Sequence, residues 1–198
     1  MVAKSNYINP DQFNKILETI PQLHIRKWKD DDICMLFKLC YWCALRFGEA
    51  VRLSAEDIDL KTLEIFLGQT KTNKQDLASI PPSFTEELHI FLQGKQGKLF
   101  PDLTYETAIK WIYRLGKILD VKAWTTSQNE TGEKTKTHIF RKSIAKDYFY
   151  GTHTERKAPL SIISKKLRHK GKNPAATTWQ YLKLDIEDIK EWEKESQV

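Results

Sequence analysis

The sequence predicts a mainly α-helical fold carrying one small antiparallel β-sheet. Three observations lead there. Apolar residues recur at helical spacing along most of the chain. The period changes to strict alternation only around Leu63, Ile65 and Leu67. Turn-forming clusters such as Asn9-Pro10, Pro81-Pro82 and Gly94–Gly97 separate these segments.

Taken in order, Asn9-Pro10-Asp11 starts a helix, with Asn as cap and Pro at the first helical position. Phe13, Ile16, Leu17 and Ile20 give it one buried face. Residues 33–46 are apolar nearly all round and predict a helix through the core, ending at Arg46. Ser54-Ala55-Glu56-Asp57 resembles a short capping box. The alternating residues 63–67 and the segment Leu77 to Ile80 predict a β-hairpin, with Lys71 near its polar turn. Ser83 and Glu86 form another capping box, before a helix to about Leu92. Thr104 caps the next helix, whose Ala108, Trp111, Ile112, Leu115, Ile118 and Leu119 keep a 3.6-residue period. Residues 122–137 are polar and predict a mobile loop or extended hairpin. Helices follow near 138–150, 159–168 and 174–184, then an amphipathic stretch with Ile186, Ile189 and Trp192.

Length and composition narrow the class. The 198 residues fit one domain. With 40% hydrophobic and 29% charged residues, a disordered or collagen-like chain is excluded. The longest apolar run, Ile33 to Leu45, holds 13 residues and is broken by Lys38. A membrane-spanning helix needs about 20. Met1 to Pro10 lacks the apolar core of a secretion signal. A soluble, intracellular protein with no membrane partner is expected. Cys34, Cys40 and Cys43 all fall in the apolar stretch, and their odd number argues against a disulfide framework. Cys40 and Cys43 read as C-x-x-C, but no second ligand pair is nearby, so buried core thiols and no metal are expected.

The charge is unevenly spread. The net charge is +6, yet residues 134–172 hold twelve Lys/Arg against two acids. The segment after Tyr181 has three Lys and six acids. Such asymmetry suits a polyanion binder. A solvated lysine-rich face is the plainer alternative.

Several residues are candidates for chemistry. Arg46 follows the apolar helix and has Glu49 three residues on, an ordinary ion pair unless the two face a cleft. His138 and Arg141 share a helix face as H-x-x-R. His169 lies in the most basic stretch, and Tyr181 follows on a new helix. Each is bland alone, but their order forms a pattern.

That pattern resembles the catalytic domain of the tyrosine recombinases, the phage-integrase family. Their motif T-G-L-R-x-x-E-L before W-x-D-I-D is met by Cys43-Ala44-Leu45-Arg46-Phe47-Gly48-Glu49-Ala50, then Leu53-Ser54-Ala55-Glu56-Asp57-Ile58-Asp59. The motif K-T-x-K, followed by a strand and Pro, is met by Lys71-Thr72-Asn73-Lys74 and Ala78-Ser79-Ile80-Pro81. H-x-x-R is His138-Ile139-Phe140-Arg141. L-G-H is Leu167-Arg168-His169, and T-T-x-x-Y is Thr177-Thr178-Trp179-Gln180-Tyr181. The likeness covers about residues 9–184. Ala44 and Arg168 replace family glycines, and Lys170 to Pro174 lengthen the gap between His169 and Tyr181.

The resemblance implies the tyrosine-recombinase, DNA breaking-rejoining fold. It implies a single catalytic domain over 1–198, with a tail at 185–198 and without the family's N-terminal core-binding domain. It implies a site-specific recombinase or integrase of a mobile element or virus, acting on double-stranded DNA as a dimer or tetramer. Tyr181 would attack a phosphodiester to give a 3′-phosphotyrosine, with neither ATP, metal nor cofactor. Arg46 and Arg141 would hold the phosphate oxygens. His138 would be the better base and His169 the better phosphate donor. Lys71 would be the general acid, with Lys74 competing, and Glu49 would orient the cations. Lys74, Lys142, Lys165, Lys166, Arg168, Lys170 and Lys172 would contact DNA. The tail would pack on a neighbouring protomer or on its own domain. Two other readings remain open: a topoisomerase-like nicking and rejoining enzyme, and a non-catalytic DNA-binding protein on the same fold.

Overall fold

A computed structural model describes residues 7–69, 75–120, 138–152, 156–170 and 172–182, without the side chains of Gln69, Gln75, Gln180 and Tyr181. The hairpin turn with Lys71 and Lys74, the polar segment 122–137 and the tail 185–198 lie outside the described residues.

Local sequence signals account for most element starts. Helix α1 (Pro10–Thr19) opens on a reciprocal box. Asn9 Oδ1 accepts from the Gln12 amide at 2.8 Å, and Gln12 Oε1 accepts from the Asn9 amide at 3.0 Å. Phe13, Ile16 and Ile20 are buried below it. Helix α2 (Asp30–Trp42) has three Asp in its first turn, which suits the positive end of its dipole. It runs through the core as predicted but stops four residues before Arg46. Ala44 adopts φ 53°, a left-handed conformation that no α-helix continues through. Arg46 therefore precedes a separate short helix, α3 (Phe47–Ala50).

The sheet has three antiparallel strands in the order β1 (Ile58–Asp59), β2 (Glu64–Gln69) and β3 (Gln75–Ser79). Ile65 lies opposite Ala78, and both are buried. The predicted hairpin is thus present, with one short strand added. Helix α4 (Thr85–Leu92) follows. Ser83 does not cap it, because Pro82 starts a 3-10 turn that absorbs Ser83 and Phe84 first. Helix α5 (Tyr105–Ile118) begins as predicted, with the Thr104 hydroxyl accepting from the Thr107 amide at 3.2 Å.

Helix α6 (His138–Tyr150), α7 (Leu160–Lys166) and α8 (Pro174–Leu182) complete the described chain. Helix α6 packs against α2 and α8, and α7 against α8. Phe140 meets Phe13, Phe37 and Phe47 in an aromatic cluster at the centre, with ring centroids 6.0, 5.4 and 5.6 Å away. Asp147, buried on α6, accepts from the Tyr41 hydroxyl. These contacts fix α6 on α2, and so fix His138 and Arg141 relative to Arg46. Cys40 and Cys43 are buried and Cys34 half-buried, with burial pushing all three thiols up. Among the described residues, no helix is long and apolar enough to cross a membrane.

Candidate active site

Two left-handed turns build the site. One joins α2 to α3 at Ala44, and the other follows α7 at Arg168, where φ is 54°. The Arg141 side chain, wholly buried, spans them. Its two Nη groups donate to the Ala44 carbonyl and to the Leu167 carbonyl. A planar guanidinium suits this, since its donors are fixed in a fork. Arg141 thereby sets the spacing between the turn that carries Arg46 and the turn that carries His169.

Glu49 joins the same two turns by charge. Its Oε1 accepts from Arg46 Nη1 at 2.6 Å, and its Oε2 from the Arg46 amide at 2.7 Å. Oε2 also accepts from Arg168 Nη2 at 2.5 Å. Burial raises the Glu49 carboxyl, but Arg168 and then the hydrogen bonds and charge of Arg46 outweigh it and hold it below the usual carboxylate range. Arg46 and Glu49 are thus an ion pair, and Arg46 is also a wall of a cleft. The Arg46 side chain is 46% exposed while that of Arg168 is 4% exposed, so Arg46 reaches solvent and Arg168 supports from beneath.

His138 opens α6 one turn before Arg141. Burial first, then the charges of Arg141, Arg46 and Lys142, hold its imidazole below the ordinary value, against the opposing pull of Glu49. His169 is lowered further, to about 4, by burial and then Arg141, Arg46, His138 and Arg168. Both rings are neutral near pH 7. His169 Nδ1 lies 2.9 Å from the Thr178 hydroxyl on α8.

The cleft is lined by Arg46, Asp76, Arg168, His169, Lys170 and Thr177, and has a volume of about 360 Å³. Its walls are charged or polar, unlike the mostly apolar lining of a small-molecule site. Asp76, on β3, accepts from Lys170 Nζ at 2.9 Å and lies 3.9 Å from Arg168 Nε.

Arg46, Glu49, His138, Arg141 and His169, far apart in the chain, therefore come together. Tyr181 lies in the last turn of α8, while Lys71 and Lys74 lie outside the described residues. Among the basic residues expected on DNA, Lys165, Lys170 and Lys172 are exposed and Lys142 half-buried. Lys166 and Arg168 are buried instead. Lys166 Nζ donates to the Ser79 carbonyl at 3.0 Å and hydroxyl at 3.2 Å, and its burial lowers the ammonium to about 8. It fastens β3 to α7. Thr178 and Asp76 carried no assigned role in the sequence. Thr178 stood inside a quoted motif, whereas nothing local marks Asp76, whose Lys170 partner is 94 residues away.

Known proteins share this fold. A family model described as the phage integrase family matches residues 6–187. No curated protein matches the chain. Among solved structures, XerA recombinase superposes with a TM-score of 0.67 at 18% identity, covering 97% of this chain and 65% of its own. XerH site-specific recombinase, bound to a palindromic difH substrate in a post-cleavage complex, gives 0.64 at 19% identity, covering 98% of this chain and 53% of its own. The catalytic domain of bacteriophage HP1 integrase gives 0.59 at 17% identity, covering 98% of this chain and 95% of its own. The chain thus spans between half and two thirds of the two Xer recombinases and nearly all of the isolated catalytic domain. At these identities the likeness establishes the fold.

Proposed function

The chain belongs to the phage integrase family, and from that premise we propose that it is a site-specific DNA recombinase that cleaves and rejoins double-stranded DNA through Tyr181. The observation that supports this most is the convergence of Arg46, His138, Arg141 and His169 from three separate segments beside one charged cleft.

The chemistry follows from those groups. The Tyr181 oxygen attacks phosphorus, forming a 3′-phosphotyrosine, and the 5′-oxygen leaves. Bond energy is retained in the adduct, so rejoining needs no nucleotide. The transition state gathers negative charge on the non-bridging oxygens. Arg46, partly exposed at the cleft, binds them directly. Arg141 adds its field from beneath, where low dielectric strengthens it, and keeps the two turns in place. A free phenol has a pKa of about 10, so a neutral imidazole must take its proton. Lys71 supplies the proton to the leaving oxygen, and Glu49 holds Arg46 in position. Lys142, Lys165, Lys170 and Lys172 contact phosphates, while Lys166 and Arg168 act from within the protein. The active form is a dimer or tetramer on DNA, as strand exchange between two duplexes requires more than one nucleophile.

The test is Tyr181→Phe against a suicide duplex nicked beside the cleavage position. The wild-type chain should accumulate a covalent protein–DNA adduct. The variant should yield none while binding the same duplex within about twofold of wild type, since one lost hydroxyl removes at most a modest contact. Adduct formation by Tyr181→Phe would defeat the assignment.

A further inference from the structure

We propose that Asp76 is an internal stand-in for DNA phosphate: its carboxylate holds Lys170 in the DNA-free chain, and a phosphate gains Lys170 only by taking that place. Asp76 thus restrains the binding of polyanions at the cleft. This rests on the reading of the cleft as a DNA phosphate site, and not on the chemistry of Tyr181.

Asp76 is the one carboxylate among the described residues that line the cleft, where it stands with Arg46, Arg168, His169, Lys170 and Thr177. It shares a face of β3 with Ala78, which is buried, so its side chain is turned inward. Oδ1 accepts from Lys170 Nζ at 2.9 Å, with the Asp76 side chain 24% and the Lys170 side chain 56% exposed. Arg168 Nε, 3.9 Å away, is beyond hydrogen-bond reach, and Arg168 already has an acid in Glu49 at 2.5 Å. Lys170 is therefore the cation that Asp76 withholds from the cleft. The strand does not depend on this pair. Lys166 holds β3 at its other end, through the Ser79 carbonyl at 3.0 Å and hydroxyl at 3.2 Å.

A carboxylate and a phosphodiester offer a lysine the same thing, one negative charge and two accepting oxygens. The ammonium is a point charge with three donors on a flexible stem, so it turns readily from one to the other. An ion pair open to water is weak, so the exchange is feasible. Asp76 nevertheless opposes DNA in two ways. Its pair with Lys170 must break before a phosphate takes the ammonium. Its carboxylate then faces that phosphate and repels it. A loose polyanion meets both costs, whereas a duplex seated on Arg46 and the other exposed lysines offsets them with further contacts.

The test measures affinity for an intact duplex by fluorescence anisotropy at low salt, apart from any cleavage. Asp76→Asn, which keeps the shape and removes the charge, should tighten binding by roughly threefold to tenfold, and Asp76→Ser should do the same. Glu18→Gln, which removes a charge from an exposed position of α1, should change affinity by less than about twofold. Lys170→Gln separates the ion pair from bulk charge. Its loss of affinity should be about threefold larger in the Asp76→Asn chain than in wild type, where the lysine must first leave Asp76. Equal losses in the two backgrounds overturn the proposal, and so does equal tightening by Glu18→Gln, since charge alone then accounts for the change. Weaker binding by Asp76→Asn and Asp76→Ser also overturns it, because Asp76 would then be holding Lys170 in place for DNA. A wild-type adduct on the nicked duplex would leave the recombinase reading intact in that case. Tightening with the stated coupling, but with no wild-type adduct, supports the restraint and removes only the recombinase reading. Failure of both the wild-type and the Asp76→Asn chains to bind duplex overturns both.

Discussion

Four cationic or titratable groups share one small volume, and two of them are imidazoles that stay neutral because of burial first, and then because Arg141 and Arg46 stand beside them. The same field that prepares the site for an anion therefore makes it sensitive to acid. His169 is held near 4 in the folded chain and returns to about 6.5 when unfolded. Between those values the unfolded chain binds more protons, so stability is complete above about pH 6.5 and declines as the pH falls toward 4. His138 is shifted in the same direction and adds to the decline. Denaturant midpoints at pH 7, 6 and 5 should fall steadily for the wild-type chain, and fall less for His169→Gln, which has nothing to protonate. A midpoint that rises on acidification would contradict the geometry. Arg46, Glu49, Arg141 and both histidines could be named from the sequence because each stands in a short motif with fixed spacing. Arg168 and Thr178 could be quoted but not given their parts. Whether an arginine turns outward to DNA or inward to Glu49 depends on residues 119 positions away.

At the level of elements, Ala44 and Arg168 are paired features. Both take left-handed backbone at positions where the family motif has glycine, and each conformation costs an ordinary residue about 1–2 kcal/mol. The two are not equivalent. Ala44 offers only a methyl group, whereas Arg168 returns an ion pair with Glu49 at 2.5 Å and a contact with the Ala44 carbonyl at 3.4 Å. Ala44→Gly should stabilise the fold by up to about 1 kcal/mol, after the greater chain entropy of glycine is subtracted. Arg168→Gly should destabilise by about 1–3 kcal/mol, because Glu49 loses a buried partner. Equilibrium unfolding of the two variants checks this, and equal effects would refute it. This pair also explains the limits of reading elements from sequence. Helices α1 and α5 were legible because Asn9 and Thr104 act within four residues. The break between α2 and α3 was not, because donors to the Ala44 carbonyl come from Arg141 and Arg168, 97 and 124 residues on. Ser83 was misread because Pro82 imposes its own turn first.

Across the whole molecule, helix α6 is the link between core and chemistry. Its Phe140 anchors the aromatic cluster and its Asp147 accepts from Tyr41, while Arg141 donates to the carbonyls of Ala44 and Leu167. The mainly helical class with one small sheet was readable from periodicity, since burying a helix stripe or a strand face leaves a regular apolar pattern. The convergence of the site was not readable from periodicity; only the ordered motifs pointed to it. What the account asks of the assembled protein is that one phenol, near the end of α8, reaches a phosphorus held beside Arg46. Trapping the full chain on a nicked duplex, digesting it and sequencing the DNA-linked peptide by mass spectrometry tests this most directly. The account predicts a single linked peptide, modified at Tyr181. Linkage at any other residue, or strand cleavage with no linked peptide, would contradict it.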